Sequence, residues 1–212
     1  RRPGHGILGE EHGASGDQRT RWVIDPVDAT CNFIRGIDWW ATLLALEADG
    51  QAQVAMVSAP ALGRRWWAVR GQGAFTTGPL DPRPRPLAVS RVHELGDAQL
   101  AYGDLRGDPW FQTLAARCWR TRGIGDFLAW CLLADGAVDV VVGQDTDRRW
   151  DLAAPILLVE EAGGRVTGPA GQPWTGSRQP AIGSNRLLHP AVVDLIGANV
   201  AARHTAAPDR GG

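Results

Sequence analysis

Two apolar stretches separated by only two residues constrain the fold of this chain more than any other feature. Residues 40–48 and 51–58 are mostly apolar, and the pair between them, Asp49 and Gly50, favours the type I′ turn of a tight β-hairpin. A further strand over residues 65–70 would extend this hairpin. The first half of the chain is therefore predicted to form an antiparallel meander.

Helical and strand patterns alternate in the second half, which predicts an α/β arrangement there. The predicted helices and strands, in chain order, are 109–118, 126–134 (helices), 137–142 (strand), 150–162 (helix), 165–167 (strand) and about 190–201 (helix). Four prolines in residues 78–86 are typical of an extended connector. We therefore expect an antiparallel-sheet lobe carrying the functional motif over residues 1–80, an α/β lobe over 81–205 and a disordered tail over 206–212.

Composition excludes several classes of function. The net charge of −1 leaves no basic surplus for a nucleic-acid backbone, and no apolar run approaches the roughly 20 residues that span a bilayer. We expect a cytoplasmic protein with neither nucleic-acid nor membrane partners, since the start of the chain lacks the apolar core of a signal peptide. The three cysteines have no paired spacing for zinc or redox chemistry, and none has the arginine six positions later that a cysteine phosphatase needs.

Acidic residues occur at the predicted ends of strands and starts of helices. Glu10 lies in a Gly-Glu-Glu segment, Asp25 and Asp28 flank Pro26, and Asp151 opens the helix over residues 150–162. Magnesium ions in proteins are held by a few carboxylates together with water and substrate phosphate. Two carboxylates three residues apart around a proline-fixed turn can face one cluster, joined by a backbone carbonyl between them. The pattern predicts a site for a divalent cation.

A seat for an anion is predicted next to this site. If a helix starts near Asp28, the free N–H groups of Ala29 and Thr30 point out of its N-terminus, where an anion is favoured. We expect Ala29 to enter that helix with a negative φ. Taken alone, Asp28 or Asp151 is more often a helix N-cap than a ligand, and Glu10 more often belongs to a solvated loop. The combination is what argues for a metal and phosphate site.

Three segments together resemble one known family. The run W-V-I-D-P-V-D-A-T-C-N-F at residues 22–33 resembles the W-x-x-D-P-[ILV]-D-G-T-x-N-F signature of the inositol monophosphatase superfamily. The G-E-E at residues 9–11, and the W-D-L-A-A and E-A-G-G at residues 150–154 and 161–164, resemble its other two elements in the same order. The resemblance implies an αβαβα layered sandwich and a magnesium-dependent phosphomonoesterase that acts on a small phosphorylated metabolite as a homodimer.

The resemblance also implies a role for individual residues, around two or three Mg²⁺ ions. The implied metal ligands are Glu10, Asp25, Val27 through its carbonyl, Asp28 and Asp151. The amides of Ala29 and Thr30 would bind phosphate, while Glu10 and the Thr30 hydroxyl would orient the attacking water. The hydrolysis would proceed by in-line attack, without a phosphoenzyme.

Two further segments, residues 58–68 and 117–127, look like those of actinobacterial histidinol-phosphate phosphatases. This implies hydrolysis of histidinol phosphate in histidine biosynthesis, with Asp126 as a charge partner for the substrate; Asp126 could equally be the N-cap of its helix. Gln144 stands where many members carry a substrate-binding glutamate. The alternatives are a phosphatase of inositol phosphate or of another small sugar or nucleotide phosphate, and a catalytically weakened relative that serves in binding or assembly.

The chain departs from the family pattern in two further ways. Ala29 replaces the signature glycine. Only eight residues precede the G-E-E element, where family members carry helices that pack on the first sheet. We therefore expect the fold without its N-terminal helices, with an apolar sheet face exposed and with Thr30 lacking an acidic partner.

Overall fold

The computed structural model describes residues 4–103, 109–176 and 179–206, which form two β-sheets and five α-helices. The strands of the first sheet, sheet A, are β1 (Gly6–Gly9), β2 (Gly13–Ser15), β3 (Thr20–Asp28), β4 (Ala41–Ala48), β5 (Gln51–Ala59), β6 (Arg64–Val69), β7 (Ala74–Thr77) and β8 (Arg85–Pro86). Those of the second, sheet B, are β9 (Gln99–Tyr102), β10 (Arg120–Arg122), β11 (Val140–Val142), β12 (Arg165–Thr167) and β13 (Ile182–Ser184). The helices are α1 (Thr30–Arg35), α2 (Pro109–Arg117), α3 (Asp126–Ala134), α4 (Arg149–Glu161) and α5 (His189–Ala206).

Sheet A contains the predicted hairpin. Asp49 and Gly50 join β4 to β5 with φ of 49° and 79°, and both values are positive as a type I′ turn requires. From β3 to β8 each strand pairs with the next in an antiparallel manner, which confirms the meander. At the other end, β1 pairs with β3 in a parallel manner and with β2 in an antiparallel manner.

Helices α3 and α4 lie between the two sheets. In sheet B the strand order is β10-β9-β11-β13-β12, and α3 packs against β11 and β13 on one side, while α4 packs on β3 to β7 of sheet A. Helices α2 and α5 contact each other in a second apolar cluster that includes β9, β11 and β13. In the described part of the chain the layers therefore follow the order sheet, helices, sheet, helices, which agrees with the predicted α/β layered sandwich.

One hydrophobic core joins the two halves of the chain. Leu43 and Trp66 of sheet A belong to the same buried cluster as Phe127 and Leu157 of α3 and α4, and the rings of Trp66 and Phe127 lie 6.3 Å apart. The predicted division of the chain after residue 80 stays a prediction. The tail predicted to be disordered covers residues 206–212. Ala206 is the last residue of α5, and residues 207–212 lie outside the described part of the chain.

The other face of sheet A is apolar and partly exposed. Buried and less buried residues alternate along β4 and β5, as expected when one face of a sheet lies on the core. Large apolar side chains on the opposite face, Ile7, Val54 and Met56, keep 42%, 36% and 37% of their surface exposed. The expected exposure of an apolar sheet face is thus observed. Among the helices that the structure describes, none is long and apolar enough to cross a membrane.

His189 ties the last helix to sheet B. It is the first residue of α5 and is buried, with its Nε2 3.0 Å from the Thr167 hydroxyl and its Nδ1 2.8 Å from the Ser184 hydroxyl. Burial, and to a smaller extent the positive charge of Arg165, together lower the pKa of His189 to about 4. The imidazole is therefore neutral in the folded protein at neutral pH.

Candidate active site

A β-bulge near the end of β3 turns two carboxylates to the same side. Asp25 and Asp28 lie three residues apart in β3 but pair with residues two apart in β4. In a regular strand, residues three apart point to opposite faces, so the extra residue is what brings both side chains to one face. Pro26 lies in the bulge, where its missing N–H is tolerated, and the Thr42 hydroxyl donates to its carbonyl at 2.8 Å. Both carboxylates are buried.

The third carboxylate comes from the first turn of α4. Asp151 accepts a hydrogen bond from the backbone N–H of Arg148, just before the helix. One carboxylate oxygen each of Asp25, Asp28 and Asp151 lie within 4.8 Å of one another. The structure therefore brings together three of the predicted metal ligands. Their role as ligands stays a prediction at this point.

Burial raises the pKa of all three carboxyl groups. The pKa of Asp25 is raised to about 7. The largest cause is burial, followed by the negative charges of Glu10 and Asp151. The pKa of Asp151 is raised to about 6, mainly by burial, and burial with the nearby Asp126 raises the pKa of Asp28 well above its usual range. Carboxylates crowded in this way are ionised together at neutral pH only if a cation neutralises them.

The other two predicted ligands line the same cavity, which has a volume of about 380 Å³. Glu10 follows β1 at the edge of the cavity, and its backbone N–H donates to the Ile24 carbonyl at 3.3 Å. Val27 lies in the bulge, and its carbonyl accepts a hydrogen bond from the Thr30 hydroxyl at 2.9 Å. Among the described residues, the Thr30 hydroxyl thus has the Val27 carbonyl as its acceptor.

Ala29 adopts a conformation that the sequence analysis did not anticipate. Its φ of 62° and ψ of 47° place it in the left-handed region, so the expectation of a negative φ was wrong. β3 ends at Asp28 and α1 begins at Thr30, so this one residue forms the junction between the strand and the helix. Its carbonyl accepts hydrogen bonds from the N–H groups of Asn32 and Phe33 at 2.9 and 3.1 Å. The signature glycine at this position is explained, since glycine adopts positive φ without steric cost.

Asp126 lies at the mouth of the cavity, as the first residue of α3 with a φ of 54°. The helix N-cap is Gly125, so the alternative in which Asp126 is the N-cap was wrong. The carboxylate that accepts a helix N–H is that of Asp28, which receives the Phe127 N–H at 2.9 Å. Asp28 therefore joins the bulge in β3 to the start of α3, and Asp126 is left facing the cavity. Burial raises the pKa of Asp126.

Gln144 also lines the cavity, in the loop between β11 and α4. Its backbone N–H donates to the carboxylate of Asp147 at 2.8 Å. Asp147 lines the same cavity, and its pKa is raised to about 7, mainly by burial. Asp147 was not among the predicted site residues, although its place in an acidic loop leading to Asp151 was a signal in the sequence.

A second cavity of about 750 Å³, here called the recess, adjoins the first and shares Asp126 and Gln144 with it. Its other side chains include Ile37, Trp39, Tyr102 and Leu128. Trp39 keeps 43% of its surface exposed, and its carbonyl accepts a hydrogen bond from the Asn32 amide at 3.0 Å. These walls could not be found from the sequence, because they come from separate loops, strands and helices.

Comparisons with known proteins agree on one family. The sequence matches the inositol monophosphatase family over residues 1–201. A protein of Mycobacterium tuberculosis named histidinol-phosphatase is 47% identical over 210 residues, which cover 93% of this chain and 77% of the relative. One of the same name from Streptomyces coelicolor is 44% identical over 198 residues, covering 88% and 73%. The structure of an inositol monophosphatase from Anabaena superposes with a TM-score of 0.83 at 28% identity, covering 92% of this chain and 79% of that one.

Proposed function

Because this chain belongs to the inositol monophosphatase family and is a metal-dependent phosphomonoesterase, we propose that it hydrolyses histidinol phosphate to histidinol and phosphate with Mg²⁺ as its metal. The observation that carries this proposal is the arrangement of three carboxylates within 4.8 Å of one another beside a recess with an acidic and aromatic wall. The three carboxylates suit a metal that binds phosphate, and the recess suits an organic cation.

The residues present fit a magnesium site. Asp25, Asp28 and Asp151 would hold the metal, with Glu10 and the Val27 carbonyl as further ligands. All are hard oxygen donors, and the pKa values of the three carboxyl groups are raised mainly by burial and also by the negative charges of neighbouring carboxylates, which a bound cation would offset. When bound, Mg²⁺ polarises phosphoryl oxygens and lowers the pKa of a coordinated water. Two or three ions are proposed from the family pattern.

The chain's own groups orient the reactants. The Thr30 hydroxyl donates its proton to the Val27 carbonyl, so its oxygen is free to accept a hydrogen bond from the attacking water. Glu10, at the edge of the cavity, can accept a proton from that water. The amides of Ala29 and Thr30 would hold the phosphate, as proposed from the signature. No side chain has to form a covalent intermediate.

The recess accounts for the choice of leaving group. Histidinol carries an ammonium group and an imidazole ring, and the recess offers a carboxylate from Asp126, a side-chain amide from Gln144 and the ring of Trp39. The ammonium group can pair with Asp126 and the imidazole can lie against Trp39. Inositol presents hydroxyl groups, which can donate hydrogen bonds to Asp126 but carry no positive charge to pair with it. A phosphatase of inositol phosphate is nevertheless the second candidate, because a protein of Caulobacter vibrioides named inositol-1-monophosphatase is 32% identical over 210 residues.

Phosphate release from histidinol phosphate and inositol 1-phosphate tests the substrate. We expect histidinol phosphate to have the higher kcat/KM, and Asp126→Asn to raise KM for histidinol phosphate by a larger factor than KM for inositol 1-phosphate. Asp145→Asn is the matched control, since Asp145 is exposed in the neighbouring loop and lines neither cavity. Much faster turnover of inositol 1-phosphate would contradict the proposed substrate. Undiminished turnover in excess chelator would contradict the metal mechanism. The expected homodimer is a separate prediction, which these assays do not test.

A further inference from the structure

A buried carboxylate outside the cavity is held between two arginines. Glu47, in β4, keeps 1% of its side chain exposed. One of its oxygens accepts a hydrogen bond from Nε of Arg21, in β3, at 3.0 Å and forms an ion pair with Nη2 of the same residue at 2.9 Å. The other oxygen accepts a hydrogen bond from Nε of Arg149, in α4. A buried charge is costly unless it is paired and hydrogen-bonded in this way. Sheet A and α4 are thus joined through one carboxylate.

Arg149 makes a second connection to the same sheet. Its Nη2 donates to the carbonyl of Gly50, in the hairpin turn, at 2.9 Å. The planar guanidinium therefore holds Glu47 and the hairpin turn together with the first turn of α4. At the far end of α4, separate contacts to sheet A are made by the ion pair of Glu160 with Arg70.

The first turn of α4 is also where the third carboxylate of the metal site lies. Asp151 follows Arg149 by two residues in that turn, whereas Asp25 and Asp28 belong to β3. Sheet A and α4 must therefore keep a fixed spacing for the three carboxylates to meet. Mg²⁺ demands near-ideal octahedral geometry with short metal–oxygen distances, so a small displacement of this turn would weaken binding.

We propose that Arg149, through its contacts with Glu47 and Gly50, is a positioning residue that sets the place of Asp151 and thereby the affinity of the site for Mg²⁺. The inference rests on the proposed metal site. Arg149 touches neither substrate nor metal in this scheme. It acts by fixing where the first turn of α4 lies relative to β3.

The test is Arg149→Lys, which keeps the charge but cannot bind Glu47 and the Gly50 carbonyl in one planar fork. Mg²⁺ alone is titrated by calorimetry, and kcat is then measured at saturating Mg²⁺. We expect the Kd for Mg²⁺ to rise about 10-fold or more, the loss typical of groups that orient metal ligands, while kcat at saturation changes less than about threefold. Unfolding in excess chelator measures the effect of the same change on stability.

The matched control is Arg21→Lys, which weakens the other ion pair of the same Glu47 carboxylate without touching α4. We expect it to lower stability in chelator and to leave the Kd for Mg²⁺ within about twofold of the wild type. Equal shifts of Kd in the two variants, or a loss of stability in Arg149→Lys with an unchanged Kd, would overturn the proposal and leave a structural ion pair. A wild-type protein that binds no Mg²⁺ would overturn the proposed function as well, and the wild-type titration alone reveals that case.

Discussion

Replacing Ala29 by glycine should stabilise the protein. Ala29 is held with φ of 62°, a conformation that costs a residue with a Cβ roughly 1–2 kcal/mol. Glycine removes this cost but gives back up to about 1 kcal/mol through the greater freedom of the unfolded chain. We therefore expect Ala29→Gly to raise the free energy of unfolding by about 0.5–1 kcal/mol, which for a chain of this size raises Tm by roughly 1–4 °C.

The same change should leave catalysis almost unaltered. The folded protein already holds Ala29 in the left-handed conformation, so the strain is a cost of folding and does not recur when substrate binds. We expect kcat/KM to change by less than about twofold. A gain of about tenfold, equivalent to roughly 1.4 kcal/mol, would mean that the Ala29 methyl group hinders the phosphate.

Urea unfolding at a fixed Mg²⁺ concentration, together with phosphate release, measures both effects. Arg186→Gly is the control, because Arg186 has φ of 67° and is exposed in the loop before α5. It should gain a similar stability from the same backbone cause, with no change in activity. If Arg186→Gly stabilises the protein and Ala29→Gly does not, strain at Ala29 has been wrongly inferred.

Three further changes probe the site and the fold. Asp151→Asn should abolish most activity and weaken Mg²⁺ binding in calorimetry, since it removes a charged ligand; near-normal turnover would contradict its role. Trp39→Ala should raise KM for histidinol phosphate several-fold but not KM for inositol 1-phosphate, and an equal rise for both would remove the ring from the specificity argument. The pKa of His189 is about 4 in the folded protein and about 6.5 when unfolded, so its contribution to stability is full above pH 6.5 and is lost as the pH falls towards 4. Between pH 7 and pH 4 the wild type should therefore lose up to about 3 kcal/mol more than His189→Gln in urea unfolding, and parallel losses would show that the imidazole does not titrate in this way.

Features decided by neighbouring residues could be predicted from the sequence. The turn at Asp49 and Gly50, and the convergence of Asp25 and Asp28 around Pro26, depend on local backbone rules. The conformation of Ala29 was mispredicted. The rule for a residue entering a helix takes no account of the strand that ends directly before it. Of the two alternatives left open for Asp126, the N-cap was wrong, and the carboxylate that accepts an N–H from the start of α3 belongs to Asp28, 99 residues away from Phe127 in the sequence.

Contacts between distant segments could not be predicted from the sequence. Arg149 and Glu47 are 102 residues apart, and neither belongs to a motif. The walls of the recess, including Trp39 and Tyr102, come from segments that only the tertiary structure brings together. A motif identifies residues that lie close together in the chain. It does not identify the residues that hold two distant segments at the right spacing.

The bulge in β3 makes the number of residues in this strand as important as their identity. Deleting Pro26 or Val27 would leave every proposed side-chain ligand in the chain, yet it would return β3 to regular alternation. Asp25 and Asp28 would then be two residues apart, as their partners in β4 are, so both carboxylates would stay on one face. The bulge that carries the Val27 carbonyl, a proposed ligand and the acceptor of the Thr30 hydroxyl, would be lost. Tolerance of substitution and tolerance of deletion are therefore separate properties at residues 26–27, and alignments that place a gap there compare sites of different geometry.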